Sequence, residues 1–445
     1  MGSDLITIGR SGAAAARAAL DVTAQNIANA NSENYSRRSL TLAEVSTTGS
    51  VAYYSSNAHA GVRVEQVRRS DSVWLQNEAR RTSSDLARAD AELAGLRGAE
   101  NAVEQAGIYP ALVEFEASLG ALRADPLNEA LRAAVLEQGR AVADTLRLSD
   151  GALAASGAQL RFEAQAGVGA VNAAAQELAR INTALVRTQP GTTGHANLLD
   201  RRDAQLAALS GQVGISVSYQ PNGVASVRIG DASGPPLVDE ASVATYAMSE
   251  NADGTVTFTL GGTSAAPASG ALAGKVLALT AARDLGAELD ALAVQLVSKV
   301  NAAQAAGVDP SSAPGQPFFS GTDAASIAVV LASGSGIATA PAGAPAGSRE
   351  TGNLDALRSA LANGGPTSAA DRMLFTLAGK VGTREVTRDA LASLAESASI
   401  ALLAESGVDL DAEAANLVRY QQAFQASGRV IQTAADIFDT ILGIR

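Results

Sequence analysis

Cysteine is absent from all 445 residues, which removes disulfides, zinc-thiolate sites, iron-sulfur ligation and cysteine nucleophiles together. Packing alone must hold the fold. Histidine occurs twice, at His59 and His195, far apart and with no partner at ligand spacing, so neither supports a metal or catalytic role. Aromatics are 4% of a chain that is 47% hydrophobic, and the mean hydropathy of +0.10 therefore comes from small side chains, alanine above all. Closely packed helices fit that composition; an all-β protein does not. Basic residues are the minority, 33 against 45 acidic ones for a net charge of −12, so no nucleic-acid partner is expected. No run approaches the ~18 apolar residues that span a bilayer, the densest being Ile327 to Ala332, and no membrane partner is expected. Met1-Gly2-Ser3-Asp4 lacks a basic region and an apolar stretch, and Ile6 stands where a myristoylation signal needs Ser or Thr. That points to the cytoplasm, or to export by a machine that leaves the N-terminus intact.

What is present is helical periodicity. From Asp4 to Ala30 the inward positions Leu5, Ile8, Gly12, Ala15, Ala19, Val22, Asn26 and Asn29 alternate in steps of three and four, a small and narrow seam. Asn29-Ala30-Asn31-Ser32 closes this helix, and an extended segment, Tyr35 to Val67, follows. Helical pattern then covers Val73 to Gln105, Leu112 to Leu122, Asn128 to Leu148, Leu153 to Thr188 and Ala196 to Gly211, punctuated by Asp125-Pro126 and Gln189-Pro190-Gly191. Between 212 and 272 the period drops to two, at Ile215, Val217, Tyr219, then Val227, Ile229, then Val256, Phe258, Leu260, with turn signals between, which reads as a small antiparallel β domain. Helices resume at Val276 to Ala306, Asn353 to Asn363 and Ala369 to Ser406. Much of 307 to 352 is Gly, Pro, Ser and Ala without period and reads as loop, mobile between Gly334 and Gly347. The chain closes on its strongest pattern: Leu410, Leu417, Phe424, Ile431 and Phe438 lie seven residues apart, with Tyr420, Ala434 and Ile441 on the companion seam.

Catalytic chemistry finds little support. Gly270-Ala271-Leu272-Ala273-Gly274-Lys275 misses the first glycine and the hydroxyl of a phosphate loop, and Gly230-Asp231-Ala232-Ser233-Gly234 misplaces the serine of a nucleophile elbow. Asp200 and Asp203 sit among Arg201 and Arg202, where pairing along one helix is the ordinary explanation. Asp409 and Asp411 mark a helix start, where acids complement the dipole. Arg63, Arg68, Arg69, Arg80 and Arg81, against Glu65, Asp71 and Glu78, read as a solvated or subunit-contacting face. The tracts 73 to 210 and 276 to 406 hold most of the large periodic apolar residues, so a fragment spanning 70 to 405 is expected to fold without the chain ends.

The run from Ser11-Gly12 to Asn26-Ile27-Ala28-Asn29 resembles the N-terminal helix motif of the flagellar rod, hook and hook-associated axial proteins. Asn34-Tyr35-Ser36-Arg37, the run Asn197-Leu198-Leu199-Asp200-Arg201-Arg202-Asp203, the stretch Asn416 to Phe424 and the tail Ile437 to Arg445 are similar to the hook-associated FlgK family within it. The resemblance implies a non-enzymatic adaptor of the hook-filament junction, exported through the flagellar secretion channel to the extracellular flagellum and assembling with itself, hook protein and a second junction protein. A flagellar export chaperone would hold the C-terminal helix, and no cofactor is implied. Longer relatives carry an outer β domain after a Phe-Phe, here Phe318-Phe319, which this chain replaces with its Gly/Ala/Pro tract.

The expected architecture is mainly α with an inserted antiparallel β domain. Residues 1–65 and 407–445 would form the two halves of an inner coiled-coil domain, 66–211 and 273–406 a helical rod domain with a loop at 307–352, and 212–272 the β insertion. The two terminal seams would be buried by each other and by neighbouring subunits, which makes their residues the expected assembly interface. The alternatives are another axial protein, such as a hook or second junction protein, and an acidic hydrolase with an unrecognised carboxylate site.

Overall fold

The structure is a computed structural model and describes residues 2–32, 35–45 and 61–442. Asn34, His59, Gly443 to Arg445 and the side chain of Ile441 lie outside that description. The protein is mainly α-helical. Helix α1 (Gly2–Ala28) leads into strands β1 (Arg38–Glu44) and β2 (Val62–Arg69), then α2 (Val73–Glu104), α3 (Ile108–Ala124), α4 (Glu129–Arg187) and α5 (Thr193–Gln212). Strands β3 (Ile215–Tyr219), β4 (Ala225–Ile229), β5 (Pro236–Asp239), β6 (Ser242–Val243), β7 (Tyr246–Glu250), β8 (Val256–Leu260) and β9 (Thr263–Ser264) precede α6 (Ala271–Ala306). Four two-residue strands follow, β10 (Gly307–Val308), β11 (Phe319–Ser320), β12 (Ala328–Val329) and β13 (Ala340–Pro341), and then α7 (Gly352–Ala362), α8 (Pro366–Ser406) and α9 (Leu410–Leu442).

The expected break near residue 150 does not occur: α4 runs unbroken for 59 residues. Gly151 points into open space. A glycine costs a helix ~1 kcal/mol, less than is gained by burying Leu146 and Leu153 on either side of it. The antiparallel segment 212–272 forms two sheets, a four-stranded one in the order β3-β4-β5-β6 and a three-stranded one in the order β7-β8-β9.

The chain divides into two compact units. The first comprises 1–84, 170–246 and 392–445; the second, 85–169 and 247–391. In the first, β1 and β2 pair antiparallel from Arg38 opposite Arg69 to Glu44 opposite Val62, with a bulge at Thr41/Leu42. The four-stranded sheet docks on α4 through the buried Asn182, whose amide donates to Ala225 O and Glu240 O, both at 2.8 Å, and accepts from Ala225 N.

The second unit is cored by Phe115, Phe318 and Phe319, whose ring centroids lie 4.7–6.0 Å apart among the leucines of α3, α6 and α7. Residues 307–352 are irregular, as expected, but they are packed rather than loose: Ile337, Ala338, Ala340 and Ala344 are buried. The physical reason is a set of long polar side chains that satisfy the tract's backbone. Asn301 accepts from Phe318 N and Phe319 N and donates to Phe319 O; Gln304 accepts from Ala338 N; Asn353 donates to Ala338 O. Arg132, fully buried, donates to Pro126 O, Gly334 O, Ile337 O and Thr339 Oγ1. Composition alone cannot register this, because each partner is distant in sequence.

Replacing Arg132 by Ala orphans these acceptors and should cost about 2–4 kcal/mol of stability. The check is chemical denaturation together with limited proteolysis, where cleavage should appear between residues 334 and 347; an unchanged midpoint and an intact tract would show that Arg132 does not hold it.

Candidate assembly site

Helices α1 and α9 pack side by side. They run antiparallel, since Gly9 meets Ile431 and Gly12 meets Ser427, and they approach closely: a Cβ on Gly9 would stand 2.6 Å from Ile431 Cγ1. This is what a seam of small residues permits. Of the inward positions on α1, Ala15, Ala19, Val22 and Asn26 are buried, Gly12 and Asn29 half-buried, and Leu5 and Ile8 exposed. On α9, Ala434 is buried, Leu417, Tyr420 and Ile431 are half-buried, and Leu410, Phe424 and Phe438 are 44–51% exposed.

The largest residues of the seven-residue series therefore stay bare within the single chain. At about 100° per residue, Ser427, Ile431 and Ala434 form the strip that faces α1. Leu410 and Phe424 fall on one side of that strip; Val430 and Ile437, also exposed, fall on the other. Helix α9 is thus apolar on three sides, with one side covered. A helix whose apolar arc is wider than the contact covering it keeps apolar surface for further partners, while Gln422, Gln425, Arg429, Gln432 and Asp436 form its polar, exposed back. Further bare apolar side chains lie on α8, at Phe375, Val386, Ile400 and Leu403. A stretch between Gly352 and Thr440 reaches a mean hydropathy of 1.2 over 18 residues, long and apolar enough by composition alone to cross a membrane.

The base of the pair is held by polar chemistry. Asn26 is fully buried and its amide closes on the start of β1, donating to Arg38 O at 2.8 Å and accepting from Arg38 N and Tyr35 Oη. Asn29 turns back to donate to Gln25 O. The Asp200-Arg201-Arg202-Asp203 run does not mainly pair within its helix, as its spacing suggested. Arg38 donates to Asp200 Oδ2, and Arg69 donates to Asp203 Oδ2 and Ser36 Oγ, both at 2.8 Å. Arg69 Nε also lies 3.0 Å from Asp200 Oδ1, an ion contact without hydrogen-bond alignment. Arg202 grips its neighbour Asp203, donates to Gly223 O and stacks on Tyr219, while Arg201 turns to Glu177. Arg69, read from the sequence as part of a solvated face, is therefore an interior cation; Arg63, Arg68 and Arg81 do lie in solvent.

Burial pushes the Asp200 carboxyl above its ordinary range, more than Arg69 and Arg38 pull it down. Burial also works to lower Arg69, but Asp203 and Asp200 outweigh it and hold the guanidinium charge above its usual pKa. Burial raises Tyr35 as well. The four-residue run carried a signal that could have located this cluster: two acids and two bases on one helical turn cannot all neutralise each other with good geometry, so outside partners are required.

The remaining sequence candidates have ordinary roles. Asp409 caps α9 by accepting from Asp411 N and Ala412 N. His195 Nε2 lies 3.1 Å from Asn222 O; Lys275 pairs with Glu163; Asp231 closes a turn on Ser233. Among the described residues no three His, Cys, Asp or Glu side chains converge as a metal site.

Three family models match the chain. The flagellar hook-associated protein FlgK helical domain matches 98–319, the flagellar basal body rod FlgEFG protein C-terminal region 402–444, and the flagella basal body rod protein 6–35. The chain is similar to flagellar hook-associated protein 1 of Bacillus subtilis (strain 168), at 25% identity over 96% of this chain and 95% of that one. The protein of the same name from Escherichia coli (strain K12) is 26% identical over 53% of this chain and 43% of its own length. A solved structure of the flagellar hook junction protein FlgK from Burkholderia pseudomallei aligns with TM-score 0.48 and 22% identity, over 55% of this chain and 46% of that one.

Removing Arg69 as Arg69→Ala takes one of two cations from each carboxylate, leaving Arg38 on Asp200 and Arg202 on Asp203, and should cost about 1–3 kcal/mol. Arg69→Lys, a single ammonium that cannot span both acids and Ser36, should recover only part of that. Denaturant midpoints of the two variants against the parent check the order. A fragment begun at residue 70 keeps both acids and loses both Arg38 and Arg69, so it should melt below the intact chain.

Proposed function

The chain belongs to the FlgK family of flagellar hook-associated proteins, structural parts of the extracellular flagellum and not enzymes, and from that premise we propose that it joins hook to filament as a ring of identical copies. The observation that carries this reading is the bareness of α9 on both flanks of its contact with α1, with Leu410 and Phe424 to one side and Val430 and Ile437 to the other. The two flanks differ in shape and composition, so a neighbour on one side presents a different surface from a neighbour on the other. Such head-to-tail contacts close into rings or continue as helices, where a two-fold contact would stop at a dimer.

The proposed assembly interface is the set of seam residues on α1 and α9, with α1 supplying the small side chains that let α9 lie close and α9 supplying the large ones that reach a neighbour. Its partners are further copies of this chain, hook protein on one side and a second junction protein on the other. A helix this apolar invites aggregation before assembly, which supports an export chaperone on the C-terminal helix and passage through the flagellar secretion channel. The alternative of a hook protein is disfavoured by the match over 98–319, which is to a hook-associated helical domain. The hydrolase alternative falls with the family, and its best acids, Asp200 and Asp203, are occupied by Arg38 and Arg69.

Deleting the gene should leave hooks without filaments and release flagellin monomer into the medium. Complementation with Phe424→Asp should fail in the same way. Burial of an aromatic contributes about 1.5–3 kcal/mol, and an unpaired carboxylate in that place costs several more. Because Phe424 is 44% exposed in the single chain, the purified variant should melt with the parent. A lowered melting temperature would mean that Phe424 packs within its own chain, and normal motility would remove it from the interface.

A further inference from the structure

Arg37 occupies a position that the assembly reading does not use. Its backbone N–H donates to Ser406 O, the last residue of α8, at 2.8 Å, and its carbonyl accepts from Ser70 N, just before α2, at 2.8 Å. Its Nε donates to Glu413 Oε1, in the first turn of α9, also at 2.8 Å. One residue between α1 and β1 thus ties together the end of α8, the start of α9 and the approach to α2. Glu413 is 2% exposed at its side chain, whereas Arg37 is 34% exposed, so the pair is anchored on the acid side and reachable by water on the basic side.

The corner that this pair spans is Gly407-Val408-Asp409, the three residues between α8 and α9. Gly407 N donates to Leu403 O at 2.8 Å. A Cβ at 407 would stand 2.4 Å from that oxygen, so the corner turns tightly on a residue without a side chain. Helix α1 packs along α9, and at the corner a second, directional contact adds to it, where a charge-assisted hydrogen bond reaches a buried acid.

We propose that Arg37 is a clamp that sets the angle at which α9 leaves α8, and that Gly407 is the pivot about which α9 turns when the clamp opens. The open state leaves Glu413 buried without its cation, so one angle is favoured and departures from it carry a finite penalty. Arg37 is a positioning residue in this scheme: it acts on the terminal pair through Glu413 and Ser406. The proposal rests on contacts within one chain and stands or falls apart from the ring assembly.

The absence of cysteine makes the test direct. Spin labels on Ser397→Cys in α8 and Gln421→Cys in α9, both exposed, report the corner in the full-length chain by pulsed electron-electron resonance. The labelled parent should give one narrow distance distribution. Arg37→Ala should broaden it or add a second distance at temperatures well below the variant's own melting transition, and Arg37→Lys should restore most of the narrow component. Glu413→Gln, which keeps the shape and loses the charge, should broaden it in the same direction and carries the test if Arg37→Ala fails to fold. A distribution as narrow as the parent's in the folded variants would overturn the clamp, and so would broadening that only accompanies a general loss of stability.

Discussion

Two carboxylates one helical turn apart on α5, Asp200 and Asp203, lie in the interior and require cations that α5 cannot supply in full. Arg38 and Arg69, directly opposite each other in the β1/β2 hairpin, supply them. Breaking one side of a buried pair costs far more than the pair contributes over an apolar substitute, so the network specifies position above all. It dictates where the hairpin sits on α5. Asn26 then fixes where α1 ends relative to Arg38, and Arg37, one residue earlier, reaches the corner from which α9 departs. The N-terminal, middle and C-terminal segments of the first unit meet at these few charged groups.

Size, not polarity, governs the terminal pair. Glycine and alanine on α1 let the two backbones approach, and close approach turns the α9 seam toward Ser427, Ile431 and Ala434. Leu410 and Phe424, larger members of the same seven-residue series, fall to one flank of that strip and stay exposed. A pair built this way buries little within one chain and leaves most of its hydrophobic free energy for contacts with others. The same economy explains why a chain with 4% aromatics places three of its few phenylalanines together at Phe115, Phe318 and Phe319, in the unit that must hold its own core.

The second unit handles irregular backbone by a different route. Between 307 and 352 there is too little regular pairing to satisfy the peptide groups, and Arg132, Asn301, Gln304 and Asn353 donate and accept in its place. Each is a long polar side chain on or next to a helix, and each is buried or half-buried. A tract of Gly, Pro, Ser and Ala becomes ordered because its surroundings carry the hydrogen bonds that it cannot make within itself.

Nearly all of the helices were legible in the sequence, within a few residues at their ends, because period, proline and capping residues act within a turn or two of where they stand. The motif at Ser11 to Asn29 and the run Asn197 to Asp203 named the family, and the seven-residue series marked α9 as a seam. The sequence by itself thus determined the local elements and the kind of protein. It did not determine that α4 is one helix, that Arg69 is interior, that residues 334–347 are packed, or which members of the α9 series stay bare. Each of those depends on partners between 15 and 207 residues away or on the distance between two backbones, and neither is encoded in a local pattern. Gly151 is tolerated because Leu146 and Leu153 are buried beside it; the charges of Asp200 and Asp203 are balanced in full only once the hairpin has arrived. Long-range neutralisation of charge and the fit of small against large side chains are properties of the folded chain, and the tertiary structure alone decided them.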